Sequence, residues 1–115
     1  MKSLLDVFNK VSEHLLAQND RALSVAGLYC VYRSNSGLKC AVGCLIEDQF
    51  YSRGLEGQYV RTNVIESVLK LSGVPITEEV LKLLEELQRL HDYVTPAGWP
   101  AGLAQINFNF FGGEA

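Results

Sequence analysis

Apolar and polar positions recur with a helical period at the start of the chain. The apolar positions are Leu4, Val7, Phe8, Val11 and Leu15. The polar positions between them are Asp6, Asn9, Lys10 and Glu13. Spacings of three and four residues place the first set on one face of a helix and the second set on the opposite face. Because Ser3 is a suitable N-cap, the pattern predicts an amphipathic helix from about Ser3 to Gln18.

Two more amphipathic helices are predicted in the second half of the chain. Thr62 is a suitable N-cap for the first, and Gly73 followed by Pro75 ends it. Thr77 caps the second, which continues to Val94 and begins with acidic residues that favour the positive end of a helix dipole. The apolar face of this second helix consists of Val80, Leu83, Leu84, Leu87, Leu90 and Val94.

The last helix is predicted to begin near Pro100, because proline suits the first turn of a helix. Its apolar positions are Leu103, Ile106 and Phe110. Gly112 and Gly113 are expected to end it, since glycine commonly follows the last helical residue.

A β-hairpin is predicted between the first two helices. Residues 25–33 are rich in β-branched and aromatic side chains, and Ser34–Gly37 forms a polar turn ending in glycine. The second strand would begin at Leu38, and the apolar run Cys40–Ile46 favours a short strand that passes into a helix. Residues 47–61 have the broken pattern of a surface loop. These patterns predict one α+β domain over residues 1–115, mainly helical, with four to five helices and a small β-hairpin.

Composition and charge narrow the classes of partner. The 115 residues are 48% apolar and 20% charged, which is typical of a globular domain. The chain has ten basic and thirteen acidic side chains, so it has no excess of positive charge to neutralise phosphates. Nucleic acid is therefore not an expected partner. The uncharged stretch from Tyr93 to Gly113 contains too many proline, glycine and amide residues to span a membrane. An odd number of cysteines and the lack of a signal-peptide pattern predict a cytoplasmic location.

The cysteines provide one candidate for chemistry. Cys30, Cys40, Cys44 and His91 together would make a tetrahedral zinc site with three sulfur ligands. Alternatively, a cysteine serves as a nucleophile with His91 as its base, oriented by Asp92 or Gln88. The simpler alternative is that the thiols pack as small apolar groups and that His91 is a hydrogen-bonded core residue. No cofactor is assigned.

Aromatic and arginine residues provide the other candidate, a protein-binding surface. One group consists of Trp99, Phe108 and Phe111, and a second group consists of Tyr51, Arg53, Tyr59 and Arg61. Tyrosine, tryptophan and arginine are enriched at interface hot spots, so these residues are predicted to contact a partner. Core packing of the first group and formation of a homodimer are the alternatives.

Three segments carry a resemblance to a family. They are Gly37–Ile46, then Tyr51 with Glu56 and Gly57, and finally Leu87–Asp92, whose sequence is LQRLHD. In these segments the chain resembles an uncharacterised family of small proteins encoded by phages and prophages, although its Asn- and Phe-rich end departs from the family pattern. The resemblance implies a non-enzymatic accessory protein that is made in the bacterial cytoplasm and binds a host or phage protein, for example as an inhibitor of a defence protein.

Overall fold

Four α-helices are the main regular secondary structure of the described residues. A computed structural model describes residues 3–24, 27 and 30–112. The helices are α1 (Leu4–Gln18), α2 (Asn63–Leu71), α3 (Glu78–Tyr93) and α4 (Trp99–Phe111). Helices α1, α3 and α4 pack against one another around a core of aliphatic side chains and Trp99. In the part of the chain that is described, no helix is long and apolar enough to cross a bilayer.

The predicted helix starts are confirmed by their caps. The hydroxyl of Ser3 accepts the N–H of Asp6, that of Thr62 accepts the N–H of Ile65, and that of Thr77 accepts the N–H of Val80. Each cap pairs a backbone donor that would otherwise lack a partner in the first helical turn. Helix α4 begins at Trp99, immediately after a single 3-10 turn at Pro96–Gly98.

The predicted α+β class is wrong, because the described residues contain no strand. Part of the predicted first strand, residues 25, 26, 28 and 29, lies outside the described residues. In the remainder, two isolated antiparallel bridges join Leu23 to Cys30 and Arg33 to Lys39. The backbone N–H groups of Tyr32 and Arg33 donate to the side chain of Glu56 instead of to a partner strand. The described fold is therefore all-α, with an irregular segment between α1 and α2.

The apolar run Cys40–Ile46 is likewise not a strand, and it contains a 3-10 turn at Gly43–Leu45. Gly43 packs directly on the backbone of Tyr32, where a Cβ atom at position 43 would lie 2.0 Å from the carbonyl oxygen. Residues 47–61 form an irregular connection with 3-10 turns at Asp48–Phe50 and Arg53–Leu55. Buried Leu55 and Val60 hold this connection on the core.

Candidate functional site

A cavity of about 230 Å³ lies between the irregular segment and helix α3. Its walls are residues 30–32 and 56–60 from the irregular segment, together with Gln88 and Asp92 from α3. The four-residue spacing places Gln88 and Asp92 on the same face of the helix. Glu56, Asp92, Cys30, Tyr32 and Tyr59 are thus among the residues that line one space, which we call the Cys30 cavity.

Glu56 organises the wall formed by the irregular segment. Its Oε1 accepts the N–H of Tyr32 at 2.8 Å, and its Oε2 accepts the N–H of Arg33 at 3.1 Å and the hydroxyl of Tyr51 at 2.6 Å. Burial, together with the hydrogen bond to Glu56 and the charge of Glu56, raises the pKa of Tyr51 to about 12. The phenol thus stays protonated at neutral pH and keeps donating to the carboxylate.

Arg33 connects the wall formed by the irregular segment to the turn at Asp48–Phe50. Its guanidinium lies 4.7 Å from the centre of the Tyr51 ring, and its Nη1 donates to Asp48 at 2.8 Å. Its Nη2 donates to the carbonyl of Ile46. Charge-assisted hydrogen bonds and a cation–π contact therefore hold the wall, in addition to the isolated bridge between Arg33 and Lys39.

A network of side-chain hydrogen bonds forms the α3 wall. Gln88 accepts the N–H of Val42 at 3.1 Å and donates to Oδ1 of Asp92 at 2.8 Å. The same Asp92 oxygen lies 2.8 Å from Nδ1 of His91. These contacts assign the amide orientation of Gln88, and they connect the buried His91 to the cavity through Asp92.

His91 is fully buried, and both of its ring nitrogens have partners. The N–H of Ala22 donates to Nε2 at 3.1 Å, which requires an unprotonated Nε2 and leaves the proton of the neutral ring on Nδ1, facing Asp92. The imidazole also stacks on Trp99, with the ring centres 5.7 Å apart. The indole N–H of Trp99 donates in turn to the carbonyl of Val94 at 2.9 Å.

Cys30 is the cysteine that lines the cavity. Its sulfur, a ring nitrogen of His91 and a carboxylate oxygen of Asp92 all lie within 4.8 Å of one another. Burial and, secondly, the negative charge of Asp92 raise the pKa of Cys30 to about 11. An activated cysteine nucleophile has a lowered pKa, so this arrangement gives no support to a thiol-dependent hydrolase.

The other two cysteines do not join this cluster. Cys40 is fully buried and accepts the N–H of Gly43 at 3.2 Å, and burial raises its pKa. Cys44 donates to the carbonyl of Ala41 at 3.1 Å, and burial raises its pKa to about 12. Of the four zinc ligands predicted from the sequence, the structure thus brings together Cys30 and His91, with Asp92 as an additional candidate ligand.

The predicted contact residues fall into two groups. Tyr59 is 85% exposed and Phe108 is 64% exposed, and Arg53 lies on the surface with its Nη2 bonded to Asn35. The others are held inside the molecule or engaged with other side chains. Tyr51 is partly buried beside Glu56, Arg61 is paired with two glutamates, Phe111 packs on Phe8, and Trp99 is fully buried.

Sequence reasoning missed one exposed aromatic residue. Tyr93, the last residue of α3, is 80% exposed and directly follows Asp92. In the sequence, Tyr93 lies beside the apolar face of α3 and not within it, and this position indicates an exposed side chain.

No family model, curated protein or solved structure matches this chain.

Proposed function

We propose that this chain binds a partner protein through Tyr59 and the rim of the Cys30 cavity, without small-molecule chemistry of its own. The observation that carries the proposal is the position of Tyr59, whose side chain is 85% exposed on a backbone that is fixed on both sides. Large aromatic side chains at the edge of a pocket are the usual anchors of protein interfaces.

The contacts on either side of Tyr59 are specific. The carbonyl of Gln58 accepts the hydroxyl of Tyr32, and the side chain of Val60 is buried in the core. Arg61 forms ion pairs of 2.8 Å with Glu78 and of 2.8 Å with Glu85 on α3. Because the backbone is already ordered, binding at Tyr59 costs less conformational entropy than binding through a free loop. In this arrangement Arg61 supports the surface, while Tyr59 contacts the partner.

The expected partner follows from the resemblance to phage proteins. A small accessory protein of this kind binds a host or phage protein in the bacterial cytoplasm, and inhibition of a defence protein would be its effect. Exposed Arg53 and Phe108 are further candidate contacts, at other points of the surface. Formation of a homodimer is the competing outcome.

Site-specific photo-crosslinking in bacterial cells tests this proposal. A benzophenone amino acid replaces Tyr59 in one variant and Glu86, on the exposed face of α3, in a matched control. We expect a discrete crosslinked product from position 59 and none from position 86. In a parallel capture experiment, Tyr59→Ala should reduce recovery of the same partner at least about tenfold, as loss of a hot-spot residue does.

Three outcomes would contradict the proposal. Equal crosslinking from both positions would indicate non-specific contact, and unchanged capture by Tyr59→Ala would remove Tyr59 from the interface. A crosslinked product with twice the mass of the chain would indicate a homodimer instead. Thermal melting of the variants shows whether each one is folded.

A further inference from the structure

We propose that Cys30, His91 and Asp92 form a binding site for Zn²⁺, with its remaining coordination position open to the Cys30 cavity. The proposal differs from the four-ligand site expected from the sequence, because Cys40 and Cys44 take no part and a carboxylate replaces them. Cys30 and Asp92 line the same cavity as Tyr59, but the proposal does not depend on the partner surface, because Zn²⁺ binding to the isolated chain needs no partner.

The geometry of the three side chains carries the inference. One ligand atom from each lies within 4.8 Å of the other two, and Nδ1 of His91 is 2.8 Å from Oδ1 of Asp92. Ligand atoms bound to one tetrahedral zinc ion are separated by roughly 3–4 Å, given metal–ligand distances of about 2.0–2.3 Å. Bringing the cluster to that geometry requires small movements of side chains, because the set is already assembled on a helix and the segment facing it.

The donor types match zinc better than they match the hard cations. A thiolate and an imidazole are ligands that zinc prefers, whereas calcium and magnesium take oxygen ligands. On binding, the Cys30 thiol would release its proton to solvent, and the resulting thiolate and the Asp92 carboxylate would neutralise the two positive charges of the ion. Gln88 already donates to Asp92 at 2.8 Å, so it would hold the carboxylate in place as an outer hydrogen-bonding partner.

The cavity supplies both an entry path and an open position. Cys30 and Asp92 line its wall, and 29% of the Asp92 side chain is exposed, whereas His91 lies behind it with no exposure. Zinc sites that keep a water or an external ligand have this arrangement, with three protein ligands and a fourth position that faces a cavity.

Zinc binding would break a specific hydrogen bond, which provides a signature. The N–H of Ala22 now donates to Nε2 of His91. Nδ1 is the ring nitrogen beside Asp92, so it is the one that zinc would bind. The proton of the neutral ring would then move to Nε2 and face another donor, the Ala22 N–H. The Ala22 amide would therefore lose its acceptor.

The test is titration of the reduced, chelator-treated chain with Zn²⁺ by calorimetry and with Co²⁺ by absorption spectroscopy. We expect one equivalent of Zn²⁺ to bind, and Co²⁺ to give the near-ultraviolet charge-transfer band of a thiolate ligand. Cys30→Ser and Asp92→Asn should each weaken Zn²⁺ binding by at least roughly tenfold. Cys44→Ser is the matched control, since Cys44 lies outside the cluster, and it should bind as the wild type does.

Nitrogen-15 NMR of the same samples reports on His91, whose replacement could prevent folding because the side chain is fully buried. We expect the His91 ring nitrogens and the Ala22 amide to shift on addition of one equivalent of Zn²⁺. The proposal is overturned if the wild type binds no Zn²⁺, or if either Cys30→Ser or Asp92→Asn retains wild-type affinity. It is also overturned if Cys44→Ser abolishes binding, or if zinc binds without shifting the His91 and Ala22 signals.

Discussion

The carboxylate of Glu56 accepts the backbone N–H of Tyr32 at 2.8 Å and so occupies the place that a neighbouring strand would take in a hairpin. A side chain 24 positions away in the sequence thereby replaces one backbone acceptor, while the Tyr32 carbonyl still accepts the N–H of Cys40 at 3.1 Å. The bond is charge-assisted, and the same carboxylate also accepts the N–H of Arg33 and the hydroxyl of Tyr51, so one residue pairs three donors.

Replacing Glu56 by glutamine should therefore destabilise the fold. The amide keeps one acceptor oxygen but loses the charge, and its NH₂ group would face backbone donors. We expect the free energy of unfolding to fall by about 1–3 kcal/mol, as for a hydrogen-bonded group left unsatisfied. Urea denaturation measures this, with Glu86→Gln on the exposed face of α3 as the control. Equal midpoints for the two variants would show that Glu56 does not organise the segment.

Gly43→Ala tests the close contact with Tyr32. The added methyl group would lie 2.0 Å from the Tyr32 carbonyl oxygen, so backbone must move to accept it. We expect a loss of at least about 2 kcal/mol in the free energy of unfolding, in the range of overpacked cores. Gly54→Ala is a matched control, because the nearest atom to its Cβ position is the Ser52 hydroxyl at 3.7 Å. A Gly43→Ala variant as stable as Gly54→Ala would contradict the observed packing.

His14 should make stability depend on pH. Burial lowers its pKa from the ordinary value of 6.5, and the positive charge of Lys39 adds to this, against the opposing effect of a hydrogen bond to the Lys39 carbonyl. The unfolded chain then binds a proton more readily than the folded chain, so stability is fully present above pH 6.5 and is lost as pH falls below it towards the lowered pKa.

The measurement is urea denaturation of the wild type and His14→Gln at about pH 7.5 and about pH 5.5, on either side of the ordinary histidine pKa. The wild type should lose more stability on acidification than the glutamine variant, which retains a donor to the Lys39 carbonyl but does not titrate. Parallel pH dependence of the two proteins would show that His14 titrates normally in the folded state.

Arg61→Ala should change local mobility more than global stability. The ion pairs with Glu78 and Glu85 are exposed, and exposed pairs add little to stability. They do fix the backbone beside Tyr59, so we expect a nearly unchanged melting temperature but faster hydrogen exchange at the Tyr59 and Val60 amides. Arg89→Ala, which removes an exposed pair with Glu86 within α3, is the control. Unchanged exchange in the Arg61 variant would mean that other contacts order this segment.

Helix starts could be predicted from the sequence because their causes are local. Thr62 and Thr77 each cap a backbone donor three residues later, and the apolar spacing that follows lies within the same segment. Local patterns could not show whether the predicted hairpin forms. Strand propensity near Tyr32 was real, but the acceptor that pairs its N–H group belongs to Glu56, which no local pattern identifies.

The candidate site was predictable from the sequence only in part. The pairing of Cys30 with His91 followed from chemical type, and the structure brings the two together. The exclusion of Cys40 depends on the turn at Gly43, where the Cys40 sulfur accepts the N–H of Gly43. For Asp92 the sequence predicts only a role in orienting His91. Its approach to Cys30 arises from the packing of the irregular segment against α3, where the Cys30 thiol donates to the Asp92 carbonyl.

The stacking of Trp99 on His91 gives the chain an optical reporter. Trp99 is the single tryptophan of the sequence, and its ring centre is 5.7 Å from that of the imidazole. All tryptophan emission from the folded chain therefore originates beside the residue that links Ala22, Asp92 and the cavity. Any event that changes the bonding of that imidazole can be followed by fluorescence in the unlabelled protein, at concentrations far below those that NMR requires.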